Sequence, residues 1–393
     1  MADEPAVMPT YGRYPVTLVR GEGMRVYDEA GREYLDFAGG LGTMPLGHSH
    51  PGWLEAVYKQ SDLLTMVSNL FFTHPQAELA ARIAGAMDMG ETQVFFGNSG
   101  AEANEAALKI VRKWGLPKGR TKIVALEGSF HGRTIATLAA TGQPAKREKF
   151  EPLLDWFEFV PPEDAGALDG AIGDDAAAVL VEPVMGEGGV IPLSDDFLRS
   201  AREISESRGA LLVCDEVQSG IGRCGAWRAS SLAGVTPDIA TFAKGLGGGL
   251  PIGAAVARRE LAFAAGEHAS TFGGGPLVSA AALAVLSAIE EEHLLENAGV
   301  LGERIMGELR IGLEGQPLVS EVRGRGLMIG IELSSPAAKE VVLALIDKGV
   351  LSTEASANVV RLTPPLIVGE PDADTAIDAV VAAIAKVSEE VAG

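Results

Sequence analysis

Lys244 ends a short apolar run, residues 239–243, and a cluster of glycines follows it directly. The run predicts a buried strand, and the glycines predict a turn. A lysine in a dry site loses the hydration of its ammonium group, so its pKa falls and the free amine can form a Schiff base with an aldehyde. A lysine whose charged end reaches solvent from a strand end fits this stretch equally well, so other residues have to decide.

Asp215 occupies a comparable position in the sequence. It closes the apolar run LLVC, residues 211–214, which predicts that it lies at the carboxyl edge of a sheet. An ionised carboxylate at such a position needs a cationic partner. A protonated pyridine nitrogen would serve, and the carboxylate would keep that ring electron-withdrawing.

A phosphate site is predicted where the strand QVFF turns into an alanine-rich helix. The backbone amides of Gly100 and Ala101 would be unpaired at the start of that helix, and such amides bind phosphate. Ser99 and Glu102 also form the S-x-x-E pattern of a capping box. A cap and a phosphate can share the first turn, so both interpretations stand.

Four other side chains could bind a ring or an anion. Phe130 follows an apolar run and could stack on a flat ring, and Arg133 could hold a carboxylate through two hydrogen bonds. Ser270 and Thr271 precede a glycine-rich turn, where their hydroxyls could bind a phosphate or a carboxylate. A core phenylalanine, a surface arginine and an ordinary loop are the alternative interpretations.

Three charged residues accompany two further apolar runs. Glu182 and Glu187 both follow the run AAVLV. This position places the two glutamates at the predicted mouth of the site. Arg361 interrupts the apolar strand VVRLTPPL, where a charge needs a partner. Glu187 or the carboxylate of a substrate would supply that partner.

The stretch GIGRCG fits the G-x-G-x-x-G pattern of dinucleotide sites through Gly220, Gly222 and Gly225. No clear helix begins at these glycines, and the next acidic residue, Asp238, is nearer than the usual spacing of about 20 residues. The pattern keeps a nicotinamide-dependent oxidoreductase open as a weaker alternative.

The chain has 393 residues, with 32 Lys and Arg against 53 Asp and Glu, a formal net charge of −21. Such an acidic protein is a poor candidate for binding nucleic acid or an anionic membrane, and no apolar run reaches the roughly 18 residues of a membrane span.

Cys214 and Cys224 form no metal or disulfide pattern. No acidic or cysteine residue lies near His48 and His50 in the sequence, so we expect no metal site. The acidic, proline-broken beginning of the sequence is unlike a signal peptide, and we expect a cytoplasmic protein.

The elements that would position these residues follow from alternating patterns between about residues 75 and 257. Helix-like stretches separate short apolar runs there, which predicts an α/β fold whose large domain has a mostly parallel central sheet flanked by helices. Ligands bind such sheets outside the carboxyl ends of the strands, where Lys244 and Asp215 are expected. The rest of the chain predicts a smaller α+β domain. We place an N-terminal segment that packs with the small domain at residues 1–50, the large domain at 51–285 and the small domain at 286–393.

The motifs NSGAEANEAALK, SFHGRT, LLVCDEVQSGIGR and FAKGLGGGLPIGA occur in this order. Together they resemble the class III (ornithine-type) aminotransferases, which are pyridoxal-phosphate enzymes of fold type I, and the resemblance covers nearly the whole chain. It implies pyridoxal 5'-phosphate as the cofactor and a homodimer with shared active sites. Within the family the chain is most similar to members that move the ω-amino group of N-acetylornithine to 2-oxoglutarate, which gives N-acetylglutamate semialdehyde and glutamate in arginine biosynthesis.

The resemblance also implies roles for individual residues. Lys244 would carry the cofactor and move a proton, and Asp215 would pair with the pyridine nitrogen. The resemblance further implies that Gly100 and Ala101 bind the phosphate, that Phe130 stacks on the ring face and that Gln218 approaches the ring hydroxyl. It also implies that Glu216 and Val217 contact the cofactor, and that Thr271 reaches the phosphate from the neighbouring subunit. The implied substrate contacts are Arg133 with the α-carboxylate, Ser270 nearby, and Arg361, which would pair with Glu187 until a dicarboxylate claims it.

Some positions depart from the family pattern. Met185, Gly275 and the pair Thr43 and Met44 stand where other residues are common. None is a core cofactor residue, so the departures bear on the amino donor. Succinyldiaminopimelate, succinylornithine, ornithine and 4-aminobutyrate are the alternative donors, and a non-catalytic metabolite-binding relative is an alternative of another class.

Overall fold

The computed structural model describes residues 6–392. Residues 1–5, on which the signal-peptide prediction and the N-terminal boundary partly depend, lie outside that range. The strands are β1 (Leu18–Glu22), β2 (Arg25–Asp28), β3 (Glu33–Asp36), β4 (Thr92–Gly97), β5 (Lys122–Leu126), β6 (Phe157–Val160), β7 (Ala176–Val181), β8 (Val184–Met185), β9 (Ile191–Pro192), β10 (Leu211–Asp215), β11 (Ile239–Phe242), β12 (Gly253–Arg258), β13 (Val319–Arg325), β14 (Met328–Leu333), β15 (Val350–Leu351), β16 (Thr353–Ser356) and β17 (Val359–Leu362).

Helices separate most of these strands. The α-helices are α1 (Gly39–Gly42), α2 (Pro51–Leu63), α3 (His74–Met87), α4 (Gly100–Gly115), α5 (Ile135–Ala140), α6 (Pro144–Arg147), α7 (Ala165–Ala171), α8 (Asp195–Ser207), α9 (Ala229–Leu232), α10 (Pro276–Glu291), α11 (Leu294–Gly312), α12 (Ala338–Asp347) and α13 (Glu370–Ala392). Short 3-10 helices cover Leu116–Lys118, Glu148–Phe150, Lys244–Gly247 and Arg259–Leu261.

A seven-stranded sheet with the order β4-β12-β11-β10-β7-β5-β6 forms the centre of the molecule. Strand β12 is antiparallel to both of its neighbours, and the pairs from β11 to β6 are parallel. Every residue of β7, β10 and β11 is buried, as expected for strands that helices cover on both faces. The predicted α/β fold with a mostly parallel sheet is therefore confirmed.

Helices cover this sheet on both sides. On one side, apolar residues of α4 pack against β5, β7 and β10. On the other side, apolar residues of α7 and α8 pack against β5, β7 and β10. A third core joins β11 and β12 to the helices and strands near both ends of the chain. Both faces of the sheet are thus covered, and its strand ends remain open to polar residues.

The register brings the ends of neighbouring strands together. Asp215, the last residue of β10, pairs in register with Thr241 of β11. Lys244 follows β11 directly. Because parallel strands end at the same edge, Asp215 and Lys244 lie on the same side of the sheet.

Two smaller sheets involve the C-terminal part of the chain. One has the order β13-β14-β17-β16, is antiparallel, and carries Arg361 on β17. The other has the order β1-β2-β3-β15, so strands from the two ends of the chain share one sheet through the parallel pair β3–β15. The division into three segments given above remains a prediction.

Residues 6–392 contain neither a helix that could span a membrane nor a group of side chains placed to hold a metal ion. None of the helices described is long and apolar enough to cross a membrane. Within the same residues, no group of three or more His, Cys, Asp or Glu side chains is placed to hold a metal ion.

Candidate active site

A cavity of about 460 Å³ opens at the carboxyl edge of the central sheet. Its wall is built by the turn before α4, the segment after β5, the ends of β7, β10 and β11, and the chain before β12. The sequence-predicted site residues that line it are Gly100, Ala101, Phe130, Arg133, Asp215, Val217, Gln218 and Lys244. Residues from four separate motifs are thus brought to one cavity.

Lys244 stands where β11 turns into a 3-10 helix. Its backbone has a φ of 35°, in the left-handed region that residues other than glycine rarely adopt and that tends to occur at functional sites. Burial, and after it the nearby charge of Arg361, lower the pKa of Lys244 to about 8, although Glu187, Glu182 and Asp215 oppose that shift. The amine is therefore partly neutral near neutral pH, as a lysine nucleophile requires.

Asp215 is buried, and three donors lie within 3.0 Å of its carboxylate oxygens. Asn104 Nδ2 and His131 Nδ1 donate to its Oδ2 at 2.7 and 2.8 Å, and the Val217 backbone N–H donates to its Oδ1 at 3.0 Å. Since a carboxylate accepts, we assign the His131 proton to Nδ1. Within the described residues, His131 Nε2 is buried with no hydrogen-bond partner, so this wall of the cavity retains an unused polar atom.

Glu182 positions the aromatic wall of the cavity. Its carboxylate accepts hydrogen bonds from the backbone N–H groups of Phe130 at 2.8 Å and Gly186 at 3.2 Å. Burial raises the pKa of Glu182 to about 7; His131 lowers it and Asp215 raises it further. Glu182 therefore fixes the segment that carries Phe130.

The first turn of α4 forms the predicted phosphate seat. Ser99 caps the helix, because its Oγ accepts a hydrogen bond from the Glu102 N–H at 3.1 Å. Gly253 on β12 lies so close that an added Cβ would stand 2.1 Å from the Ser99 carbonyl oxygen. The amides of Gly100 and Ala101 occupy the first two helical positions, where α-helical geometry gives them no partner. This cavity wall can therefore accept an anion.

Arg133 is exposed at the mouth of the cavity. Its guanidinium carbon lies 5.6 Å from the centre of the Phe130 ring, within the range of a cation–π contact. A ring that stacks on Phe130 and a carboxylate that pairs with Arg133 would consequently be neighbours.

Arg361 and Glu187 form an ion pair beside the cavity. Arg361 Nη1 donates to Glu187 Oε1 at 2.6 Å, and Arg361 Nε donates to Thr353 Oγ1 at 3.3 Å. Burial raises the pKa of Glu187, but the charges of Arg361, Lys244 and Lys146 outweigh it and the net shift is downward. Arg361 Nη1 also donates to Gln218 Oε1 at 3.4 Å. Because Gln218 lines the cavity, the ion pair of Arg361 and Glu187 adjoins the site.

Besides Arg361 and Glu187, three of the predicted residues do not line this cavity. Ser270 lies next to it, since its Oγ accepts from Asn98 Nδ2 at 3.2 Å, and Thr271 is exposed on a separate cavity of about 1010 Å³. Glu216 is buried and accepts from the N–H groups of Ala229 and Ser230 at 2.9 and 2.8 Å. The Glu216 carboxylate therefore holds the start of α9 instead of facing the cavity.

Sequence reasoning missed several residues of the site. Asn104 and His131 hold Asp215, and Asn98 lines the cavity, as does Thr43, which the sequence had already singled out. The signal for Asn104 was present, because it is a polar residue on the alanine-rich buried face of α4. His131 stands inside the motif SFHGRT, but nothing in that motif indicates its partner.

The glycines of GIGRCG do not cradle a ligand. Residues 217–224 form turns, and the next helix, α9, begins only at Ala229. An added Cβ would stand 2.8 Å from Leu366 Cδ1 at Gly222 and 3.1 Å from Gly299 Cα at Gly225. These glycines serve the packing of the C-terminal region, which argues against a dinucleotide site there.

Comparisons with known proteins converge on one family. The model of the family described as aminotransferase class-III matches residues 7–384. An acetylornithine aminotransferase of Mycolicibacterium smegmatis is 49% identical over 98% of both chains, and one of Methanopyrus kandleri is 48% identical over 94% of both. Among solved structures, an ornithine aminotransferase of Toxoplasma gondii superposes with a TM-score of 0.93 at 34% identity, covering 98% of this chain and 93% of that one. An N-acetylornithine aminotransferase of Stenotrophomonas maltophilia superposes with a TM-score of 0.83 at 35% identity, covering 96% and 97%.

Proposed function

This chain belongs to the class-III aminotransferases, and from that membership we propose that it moves the ω-amino group of N-acetylornithine to 2-oxoglutarate. The products are N-acetylglutamate semialdehyde and glutamate, a step of arginine biosynthesis. Support for this donor comes from the relatives named above, which match almost the whole chain at nearly half identity. The donor that the sequence resemblance implied is the same.

We also propose pyridoxal 5'-phosphate as the cofactor. The observation that carries this proposal is one cavity that combines Lys244, the buried carboxylate of Asp215 and the N-terminus of α4. Those groups match the aldehyde, the pyridine nitrogen and the phosphate, and Phe130 and Val217 offer apolar surfaces to the ring. When bound, the cofactor supplies an electron sink for the carbon that loses its proton.

The residues of the chain then have separate tasks. Lys244 Nζ would hold the cofactor covalently and, once an amino donor has released it, would take a proton from the donor carbon that carries the nitrogen and deliver it to the cofactor. Its lowered pKa, about 8, suits both directions of that transfer near neutral pH. Asp215 keeps the pyridine nitrogen protonated, and Asn104 and His131 keep Asp215 in place.

Two arginines, Arg133 and Arg361, bind the carboxylates of the substrates. Arg133 at the mouth binds the carboxylate that both substrates share, with Ser270 nearby. Arg361 stays paired with Glu187 until the second carboxylate of 2-oxoglutarate displaces that glutamate. These local cations allow a protein with a net charge of −21 to hold anionic substrates.

A second copy of the chain completes the proposed site. Apolar side chains that are exposed in the single chain cluster around the cavity that includes Thr271; they are Leu70, Phe72 and Phe272. A patch of this kind is typical of an interaction surface, and a homodimer would cover it. Thr271 would then reach the phosphate of the neighbouring site. We propose a cytoplasmic location for the dimer.

The test is a comparison of amino donors with the purified protein. We expect kcat/KM with 2-oxoglutarate to be highest for N-acetylornithine, and lower for succinylornithine, succinyldiaminopimelate, ornithine and 4-aminobutyrate. A higher value for any other donor would replace N-acetylornithine while leaving the aminotransferase assignment intact. The protein should be yellow, and Lys244→Ala should lose both the covalently held cofactor and turnover, while the exposed-lysine variant Lys348→Ala keeps both. Colourless protein that binds a nicotinamide cofactor would contradict the proposal.

A further inference from the structure

Glu187 contacts two cations, Arg361 and Lys146. The proposed reaction uses Arg361 and does not yet use Lys146. Glu187 Oε1 accepts from Arg361 Nη1 at 2.6 Å, while Glu187 Oε2 is 3.6 Å from Lys146 Nζ. Arg361 has a side chain that is 2% exposed, against 22% for Lys146 and 26% for Glu187. The carboxylate therefore bridges a deeply buried guanidinium and an ammonium nearer the surface, with one oxygen toward each.

Lys146 is held beside the cavity by its surroundings. It lies on the single-turn helix α6, and Gln143, just before that helix, donates from Nε2 to the Gly128 carbonyl at 2.9 Å. Its Nζ is 4.6 Å from the centre of the Phe130 ring, which is a cation–π distance. Burial lowers the pKa of Lys146, Glu187 opposes that shift and Arg133 adds to it. The ammonium thus lies close to both the Glu187 carboxylate and the Phe130 ring instead of extending into solvent.

The second cation matters at the moment when a substrate carboxylate claims Arg361. A partly buried carboxylate that loses its only partner carries an unfavourable desolvation free energy. Lys146 gives Glu187 a partner that it keeps during the exchange. We propose that Lys146 is a positioning residue that holds Glu187 after Glu187 leaves Arg361, and so favours dicarboxylate over monocarboxylate ligands. This inference rests on the proposed function, because the exchange at Arg361 serves a reaction that alternates the two ligand classes.

The test measures binding of two unreactive ligands to the holoenzyme by titration calorimetry. Glutarate has two carboxylates and needs both Arg133 and Arg361, whereas N-acetylnorvaline has one carboxylate and needs Arg133 alone. We expect Lys146→Met to weaken glutarate binding about three- to tenfold, the range expected for one partly buried ion pair. N-acetylnorvaline binding should be unchanged, which also shows that the variant is folded. Lys146→Arg should restore glutarate binding, and Lys149→Met, at an exposed lysine three residues away, should change neither ligand.

A second background separates the proposed role from a general charge effect. In a Glu187→Gln protein Lys146 has no carboxylate to hold, so adding Lys146→Met should not weaken glutarate further. Equal weakening of both ligands, an undiminished effect in the Glu187→Gln background, or wild-type protein that does not bind glutarate would each overturn the inference. Failure of the donor comparison alone would overturn the proposed substrate and leave the ligand difference at Lys146 measurable.

Discussion

At the scale of single residues, the site combines positive and negative side chains that are buried or partly buried. Lys244, Arg361 and Glu187 influence one another, and the pKa values of Lys244 and Glu187 are both shifted downward. The downward shift at Lys244 arises first from burial, whereas at Glu187 the cations outweigh burial. The reactive amine is thus kept available by removing it from water, while the acidic side chain is kept ionised by its neighbours.

The pKa of Lys244 makes the stability of the cofactor-free protein depend on pH. That pKa is 10.5 in its ordinary state and about 8 in the folded chain, so between these values the unfolded chain binds more protons. Stability should rise as the pH increases through that window, and the cost of the buried charge should be fully present below about pH 8. We expect Lys244→Met to unfold at a higher temperature than wild type at neutral pH, with a difference that shrinks as the pH approaches 10.5.

Thermal unfolding followed by circular dichroism across that pH range checks this prediction. Lys149→Met, at an exposed lysine, is the matched control and should follow wild type at every pH. A difference between Lys244→Met and wild type that is the same at all pH values would contradict the lowered pKa.

At the scale of elements, strand ends and one helix start do most of the positioning. Strands β10 and β11 end side by side and present Asp215 and Lys244, while α4 begins with its amides toward the same cavity. Asn104 on α4 reaches Asp215, so one helix supplies both an anion seat and a support for the carboxylate. The site therefore depends on how α4 packs against the ends of these strands.

Ser99 allows the two tasks of the α4 N-terminus to be separated. Ser99→Ala removes the cap and should lower the free energy of unfolding by about 1 kcal/mol. Ser99→Asp keeps a capping oxygen but adds a negative charge beside the phosphate seat. We expect the aspartate variant to unfold like wild type and to bind pyridoxal phosphate at least about tenfold more weakly, through like-charge repulsion.

Chemical denaturation and a cofactor titration measure these two effects in parallel. Cofactor affinity equal to wild type in Ser99→Asp would show that the phosphate does not lie at the start of α4. A stable Ser99→Ala protein would show instead that the hydrogen bond to Glu102 contributes little.

At the scale of the whole molecule, one exposed face differs from the rest of this acidic chain. Leu70 and Phe72 precede α3, and Phe272 follows Thr271; all three are exposed in the single chain. Thr271 itself lines a separate cavity of its own chain and not the one that Lys244 lines. An active site that is completed by the neighbouring copy would account for both features.

Replacing Phe72, which is fully exposed in the single chain, should separate the proposed dimer. We expect Phe72→Asp to sediment as a monomer and to bind the cofactor more weakly, since a buried charge at an interface without a partner opposes association. Ile311→Asp, at an exposed apolar residue on α11, is the matched control and should stay dimeric. Sedimentation velocity measures both, and a dimeric Phe72→Asp protein with normal cofactor affinity would contradict the proposed interface.

Local patterns of the sequence determined the fold class and the positions of Lys244 and Asp215. An apolar run that ends in a charged residue and a turn predicts a buried strand and its end, and parallel strands bring such ends to one edge. The sequence also predicted the start of α4, because the residues of its capping pattern and its glycine turn are contiguous in the chain. The need of a buried charge for a partner left Glu187 and a substrate carboxylate as candidates for Arg361, and the family resemblance implied Glu187.

Only the tertiary structure decided which side chains meet across the site. Asp215 receives its donors from Asn104 and His131, which are 111 and 84 residues away in the chain, and no local pattern encodes such a distance. Glu216 follows Asp215 directly, yet its carboxylate bonds to the start of α9, because successive side chains of an extended segment point to opposite sides. Lys146 reads as a surface residue in the sequence, but packing beside Phe130 turns it toward Glu187. Burial and contact depend on how distant segments pack, whereas strand ends and helix starts are encoded by neighbours in the chain.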